Sequence, residues 1–333
     1  MSTRKALAAA LVATLLLAGC GTGRKPLPAP PPAPDLTSRP AGIAVDTGPF
    51  RSGPFRAPRR GAYVGAWIKP EKLTHAGRLA AVDQLEADLG RKLKIVNTYR
   101  RFEQLVGTQS DLDFQAQGST LMVSWATGDN RSIVDGEHDQ LIRAQADAIR
   151  DLGRPVLLRM RWEMDRPNLR ATMWSAADYI AAWKYVRTIF RRQGADNVSW
   201  VWCPTAEGFQ RGDAADFYPG DDQVDWTCVD VYAGEQFEPI GRLMDPFLRW
   251  AAPHPKPIII GEFGVAKAWG SAGRAAWLRD AERTFKANAQ IKAVAYFESD
   301  PAGNGPTKQF QLAGDEPAFR AFHRLAQDPY FNP

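Results

Sequence analysis

Eight short apolar runs, set a few tens of residues apart, constrain this chain more than any other feature. They are YVGAWI (63–68), KIVNTY (94–99), TLMVSW (120–125), PVLLRMRW (155–162), VSWVWC (198–203), VDWTCVDVY (224–232), PIIIGEFG (257–264) and KAVAYFES (292–299). Each is rich in β-branched or aromatic residues and lacks polar alternation, as in strands covered on both faces. Helical patterns fill the intervals. In residues 175–194, Ser175 can cap and Asp178 suits the first turn. Ile180, Trp183, Val186 and Phe190 then recur at three- and four-residue steps, and Gly194 ends the pattern. Residues 138–153 and 271–288 repeat the scheme. Eight strands alternating with helices predict a single closed (β/α)8 TIM barrel. A doubly wound open sheet would call for a glycine-rich nucleotide loop after the first strand, where AWIKPEKLTHAG stands instead.

The barrel pattern begins only near residue 61. Residues 1–19 read as a signal peptide, with MSTRK as a positive start and ALAAALVATLLLAG as a short apolar core. The LLAGC that follows resembles the lipobox of bacterial lipoproteins, which implies a lipid on Cys20. A cleaved signal peptide with a chance cysteine is the alternative. Residues 20–60, with KPLPAPPPAPDLTSRP, read as a proline-rich tether, and residues 61–333 as the catalytic barrel. The expected location is outside the cytoplasm, held to the cell envelope by the lipid.

Charge follows this division. The net charge of +5 comes from residues 1–60, where nine Lys/Arg against two acids give +7, so residues 61–333 carry about −2. No basic stripe remains to favour nucleic acid. Cys203 and Cys228 form an even pair in an exported chain, which invites a disulfide, yet small buried cysteines are also common in strands. Both readings stay open. No Cys/His cluster has ligand spacing, so neither metal nor cofactor is expected, and the chain is taken as a monomer.

Catalytic groups of a barrel sit where strands exit at the C-terminal face. Glu163 stands at the exit of the fourth strand and Glu262 at the end of the seventh. A charge there opposes burial unless it has a task. Two carboxylates facing one cavity suit glycoside hydrolysis, one to protonate the leaving oxygen and one to attack or to activate water.

At these residues the chain resembles glycoside hydrolase family 26, best known for β-mannanases, over about residues 61–325. The family's strand-four motif is Arg, two residues, then His-Glu-Met-Asn; here Arg159, Met160, Arg161, Trp162, Glu163, Met164 and Asp165 stand in line. WVWCPT (200–205), YPGDDQVDWTCVDVY (218–232) and KPIIIGEFG (256–264) follow in the family's order. The resemblance implies a retaining enzyme with Glu163 as acid/base and Glu262 as nucleophile. It also implies that Arg159 orients the nucleophile and Tyr232 donates a hydrogen bond to it. Trp162 replaces the family's His and Asp165 its Asn, departures that bear on substrate and pH dependence.

The implied activity is endo-β-1,4-mannanase action on mannan or glucomannan. Another β-glycan (mixed-linkage glucan, xylan or a self-made exopolysaccharide) is the alternative within the class. A non-catalytic carbohydrate-binding envelope protein is the alternative outside it. A glycan cleft needs aromatic platforms, and Trp162, Trp67, Trp125 and Trp269 are the candidates at strand ends and in the loop after the seventh strand. Asp221, Asp222 and Asp230 could contact sugar hydroxyls, but PGDDQ (219–223) reads first as a turn with a helix or strand cap, and the three are left out of the site.

Overall fold

The structure, a computed structural model, describes residues 53–301 and 303–333. The expected signal peptide, Cys20 and the expected tether up to residue 52 lie outside the described residues. Eight strands run β1 (Tyr63–Ile68), β2 (Ile95–Arg101), β3 (Thr120–Ala126), β4 (Val156–Met160), β5 (Val198–Trp202), β6 (Trp226–Ala233), β7 (Ile258–Val265) and β8 (Ile291–Glu298). They pair in parallel in sequence order, and β8 closes on β1. The helices are α1 (His75–Leu89), α2 (Gln109–Ala116), α3 (Asn130–Val134), α4 (Asp139–Asp151), α5 (Arg170–Met173), α6 (Ala176–Arg192), α7 (Ala206–Arg211), α8 (Ile240–Ala251), α9 (Gly270–Ala287) and α10 (Glu316–Gln327). Ser175 caps α6 by accepting from the Asp178 amide. Among the described residues no helix is long and apolar enough to cross a membrane.

Side-chain parity divides each strand between two cores. On β4, Val156, Leu158 and Met160 face the helices, while Leu157 joins Ile95, Met122, Val201, Trp226 and Ile259 inside the barrel. Arg159, next in phase after Leu157, points inside as well.

Residues 53–57 correct the expected boundary at residue 60. They are packed across the barrel end where the strands begin, instead of trailing as tether. Phe55 is buried, its ring 5.6 Å from that of Trp226. Its amide donates to Ser199 Oγ at 3.0 Å, and the Gly53 amide to Asp225 Oδ1 at 2.6 Å. Burial of one aromatic ring with its backbone satisfied outweighs the extended preference of the proline-rich chain before it.

Cys203 and Cys228 form a disulfide joining β5 to β6 inside the barrel. Space for it comes from Gly261 on β7. A Cβ there would lie 2.4 Å from Cys228 Sγ, 2.9 Å from Cys203 Sγ and 2.7 Å from Asp230 Oδ1. The register of β6 against β7 also breaks here: Val229 pairs with Ile260, but Asp230 pairs with Glu262, so Gly261 is an extra residue. Ile259 faces inward, and strict alternation would therefore send Glu262, three residues on, towards the helices. The bulge turns it inward. Gly261→Ala is expected to destabilise the protein by about 1–3 kcal/mol through overpacking, read as a lower denaturant midpoint. Wild-type stability in that variant would show that the space is not needed.

Candidate active site

The acid end of the site is built by the way the chain leaves β4. The Arg161 amide donates to Trp125 O at 2.8 Å and the Glu163 amide to Cys203 O at 2.7 Å, so this stretch spans from the end of β3 to the end of β5. Arg161 and Glu163 have φ of 46° and 55°. Such left-handed backbone at non-glycine residues costs on the order of 1–3 kcal/mol each and persists where surroundings enforce it. Here it aims the Glu163 side chain into the cleft.

Asp165 holds the next turn. It accepts from the Thr205 amide at 3.0 Å and from Thr205 Oγ1, while Arg211 Nη2 donates to its carbonyl at 2.9 Å. Gly208 permits this clasp, since a Cβ there would lie 1.9 Å from Asp165 Oδ2. The carboxylate in the family's Asn position therefore ties the β4 exit to α7. Its charge also raises the Glu163 carboxyl, as the smallest of several influences.

The Glu262 end is a hydrogen-bonded cage. Glu262, 5% exposed, accepts from Tyr232 Oη at 2.5 Å, Tyr99 Oη at 2.6 Å and Arg159 Nη1 at 2.8 Å. Arg159 is fully buried, pairs through Nη2 with Asp230, and donates from Nη1 to Ser124 Oγ at 3.0 Å. Burial alone would lower the Arg159 guanidinium, but Asp230 and Glu262 lift it above its ordinary value, so it stays charged. Burial, then the charge of Glu262, raises both Tyr232 and Tyr99, which keeps them as phenol donors.

One oxygen each of Glu163, Asp230 and Glu262 lies within 4.8 Å of the others. That trio could gather a cation, but the Arg159 guanidinium already bridges two of its members and supplies the positive charge. Glu163 is pushed up to about 8 by burial; Glu262 adds to the rise and Arg166 opposes it. Arg166 Nη2 donates to Glu163 Oε1 at 2.6 Å. One carboxyl is thus held protonated near neutral pH beside another surrounded by three donors, the separation of roles that acid and nucleophile require.

Both carboxylates open onto a cleft of about 1260 Å³ that Trp67, Trp162, Tyr99 and Phe297 also line. The Tyr99 ring stands edge-on to Trp67 at 4.9 Å and lies 5.1 Å from Trp162. The structure brings Glu163, Glu262, Arg159, Tyr232, Trp162 and Trp67 together. Two expected platforms are corrected. Trp125 is fully buried, donates from Nε1 to Phe102 O at 3.0 Å, and faces α6, because Leu121, Val123 and Trp125 share the outward parity of β3. Trp269 lies outside the cleft lining; its indole N–H donates to Gly234 O at 2.8 Å and its ring packs on Phe237.

Three residues of the site were missed in the sequence. Tyr99 and Asp230 carried a signal, lying in phase with inward Ile95 on β2 and inward Trp226 on β6. Arg166 carried none, since its pairing depends on the left-handed turn.

Residues 114–252 match the family model of glycosyl hydrolase family 26. The match spans less than half of the chain, and over that span the chain is similar to glycosyl hydrolase family 26. The matched span holds Arg159, Glu163 and Tyr232 and stops short of Glu262. The chain is 27% identical to "Endoglucanase H" of Acetivibrio thermocellus over 266 residues, 72% of the chain and 28% of that protein. It is 31% identical to "Beta-1,3-xylanase TXYA" of a Vibrio species over 144 residues, 40% of the chain and 29% of that protein. The chain thus spans less than a third of the length of these curated relatives. Among solved structures, a Bacteroides ovatus family 26 β-mannanase aligns at a TM-score of 0.61 and 19% identity, covering 82% of this chain and 90% of that one. The catalytic domain of a Bacillus sp. JAMB-750 family 26 endo-β-1,4-mannanase aligns at 0.61 and 18%, covering 81% and 87%. At these identities the two structures show the shared fold.

The buried Glu163 carboxyl has a stability cost. Its carboxyl ionises near 4.5 when unfolded and about 8 in the fold, so between those values the folded state binds the extra proton. Stability contributed by the protonated form is complete below about 4.5 and is lost as pH rises towards about 8. Glu163→Gln is expected to melt at a higher temperature than wild type at pH 7. The gap should shrink as the pH is lowered to 4, and a pH-independent gap would exclude the buried proton as its cause.

Proposed function

We propose that the chain hydrolyses β-linked polysaccharide with retention of anomeric configuration. The supporting observation is the pair of carboxylates on one cleft with oxygens within 4.8 Å. Retaining enzymes hold the two carboxyls about 5–5.5 Å apart, whereas inverting enzymes need roughly 6.5–9.5 Å for a water between them. In the first step Glu163 gives its proton to the glycosidic oxygen as Glu262 attacks the anomeric carbon, forming a glycosyl ester and releasing the leaving chain. In the second, the Glu163 carboxylate takes a proton from water, the water oxygen bonds to the anomeric carbon, and Glu262 leaves as carboxylate. Tyr99, Tyr232 and Arg159 orient Glu262 and carry its charge before and after the ester exists. Arg166 favours the ionised Glu163 that the second step needs.

The strand-four motif supports β-1,4-mannan, cut internally, as the first substrate to test. Trp162 in the place of the family's His, with the names of the two relatives, supports a β-glucan or β-1,3-xylan as the second reading. The lipobox ending at Cys20 supports an exported enzyme held at the envelope by lipid.

Reducing-end release by the protein on mannan, mixed-linkage glucan and β-1,3-xylan tests the proposal. Glu262→Ala should lower release roughly a thousandfold or more, and the first product seen by proton NMR should be the β-anomer. Initial appearance of the α-anomer would refute retention. A folded wild-type protein inactive on every member would favour a binding protein. For kcat/KM, activity should fall as pH rises through about 8, where Glu163 loses its proton. Arg166→Gln should move that limb upward, because Arg166 holds the carboxyl down; a limb that stays put would remove Arg166 from the proton's control.

A further inference from the structure

A second depression, of about 390 Å³, adjoins the cleft and shares Leu73 with it. Its lining includes His75, Arg78 and Arg100 with the hydroxyl residues Thr108 and Ser110, and contains no Asp or Glu. Two of the three basic groups are already matched. Arg100 Nη2 donates to both oxygens of Asp111, at 2.6 and 2.7 Å, and its Nη1 to Tyr99 O at 3.0 Å. His75 Nε2 lies 2.6 Å from Asp113 Oδ2.

Arg78 is different. Among the described residues its guanidinium makes no hydrogen bond or ion pair, although the residue is half-buried. It stands three residues after His75 in the first turn of α1, so both face the same side, and that turn contains no acidic residue. A positive charge in a helix's first turn works against the macrodipole. Burial and the neighbouring Arg100 both lower the Arg78 guanidinium, with Asp111 opposing them. Among the described residues this cation thus stands in an unfavourable place with no ion-pair partner of its own, the nearby Asp111 being engaged by Arg100. Leu73, 71% exposed between the two depressions, offers an apolar edge against which the C–H face of a sugar ring can lie.

We propose that this depression binds the carboxylate of an acidic sugar borne by the β-glycan in the cleft, with Arg78 as its principal partner. The substrate class is then a uronate-bearing β-glycan, and the choice of a glycan ligand rests on the hydrolase reading above. Arg78 presents two donors in one plane, which match a carboxylate bidentately. Thr108 and Ser110 supply hydroxyls for the ring's own oxygens.

Calorimetric titration of glucuronate, glucose and inorganic sulfate into the full chain carrying Glu262→Ala tests this without requiring turnover. Glucuronate should bind more tightly than glucose and sulfate, and binding should weaken as NaCl is raised from about 0.05 to about 0.5 M. Adding Arg78→Gln should weaken glucuronate binding about tenfold or more, and Arg78→Lys should restore part of it. Glucuronate held no better than glucose, or equally by Arg78→Gln, would overturn the proposal. Sulfate held as tightly as glucuronate would reduce the site to simple anion binding and overturn it as a sugar site. If Arg78→Gln does not fold, Arg78→Lys and the salt series decide. Glucuronate binding in a protein inactive on every glycan would count against the hydrolase reading and leave this one standing.

Discussion

The buried guanidinium of Arg159 is the interaction on which the site depends. It lies inside a closed barrel with no exposure, against two carboxylates on neighbouring strands, and with a serine on a third. Removing one member of such a group would leave an uncompensated charge in a low-dielectric interior, which is far more costly than losing a surface pair. The arrangement is therefore nearly all-or-none. It also separates the two cleft carboxyls, because the donors of Arg159, Tyr99 and Tyr232 converge on Glu262. Glu163 has only the half-exposed Arg166 against a strong burial effect.

The barrel around this centre is adjusted to hold it. A disulfide occupies the interior below the carboxylates, and one glycine on β7 both clears space for it and inserts the extra residue that turns Glu262 inward. The same stretch of chain thus solves a packing problem and an orientation problem. On β4 the corresponding adjustment is the left-handed turn at Arg161 and Glu163, braced by the carbonyls of the two flanking strand ends. Strain and irregularity gather beside Glu163 and Glu262, and regular strands occupy the rest.

Much of this was legible beforehand. Eight apolar runs separated by capped helical patterns predict the closed barrel because parallel strands covered on both faces need no polar alternation. Charge at the ends of the fourth and seventh runs marked Glu163 and Glu262, since a strand does not bring a carboxylate to a core edge idly. The aromatics were read less well. Trp125 and Trp67 look alike as strand-end tryptophans, and only their parity relative to neighbours separates a helix-facing residue from a cleft-facing one. Phe55 looked like part of a tether because composition describes the average of a segment and one buried ring escapes it.

By itself the sequence determined the strand and helix order and the placement of Glu163, Glu262 and Arg159 at strand ends, because periodicity and misplaced charge are local properties of a chain. Tertiary structure alone decided that Glu262 faces inward, that Tyr99 and Asp230 meet it, that Arg166 reaches Glu163, and that the Arg78 guanidinium has no hydrogen-bond or ion-pair partner among the described residues. Those outcomes depend on bulge register, left-handed turns and the meeting of residues distant in sequence. Strand phase points Tyr99 and Asp230 inward, but which groups they meet is fixed only when the barrel closes.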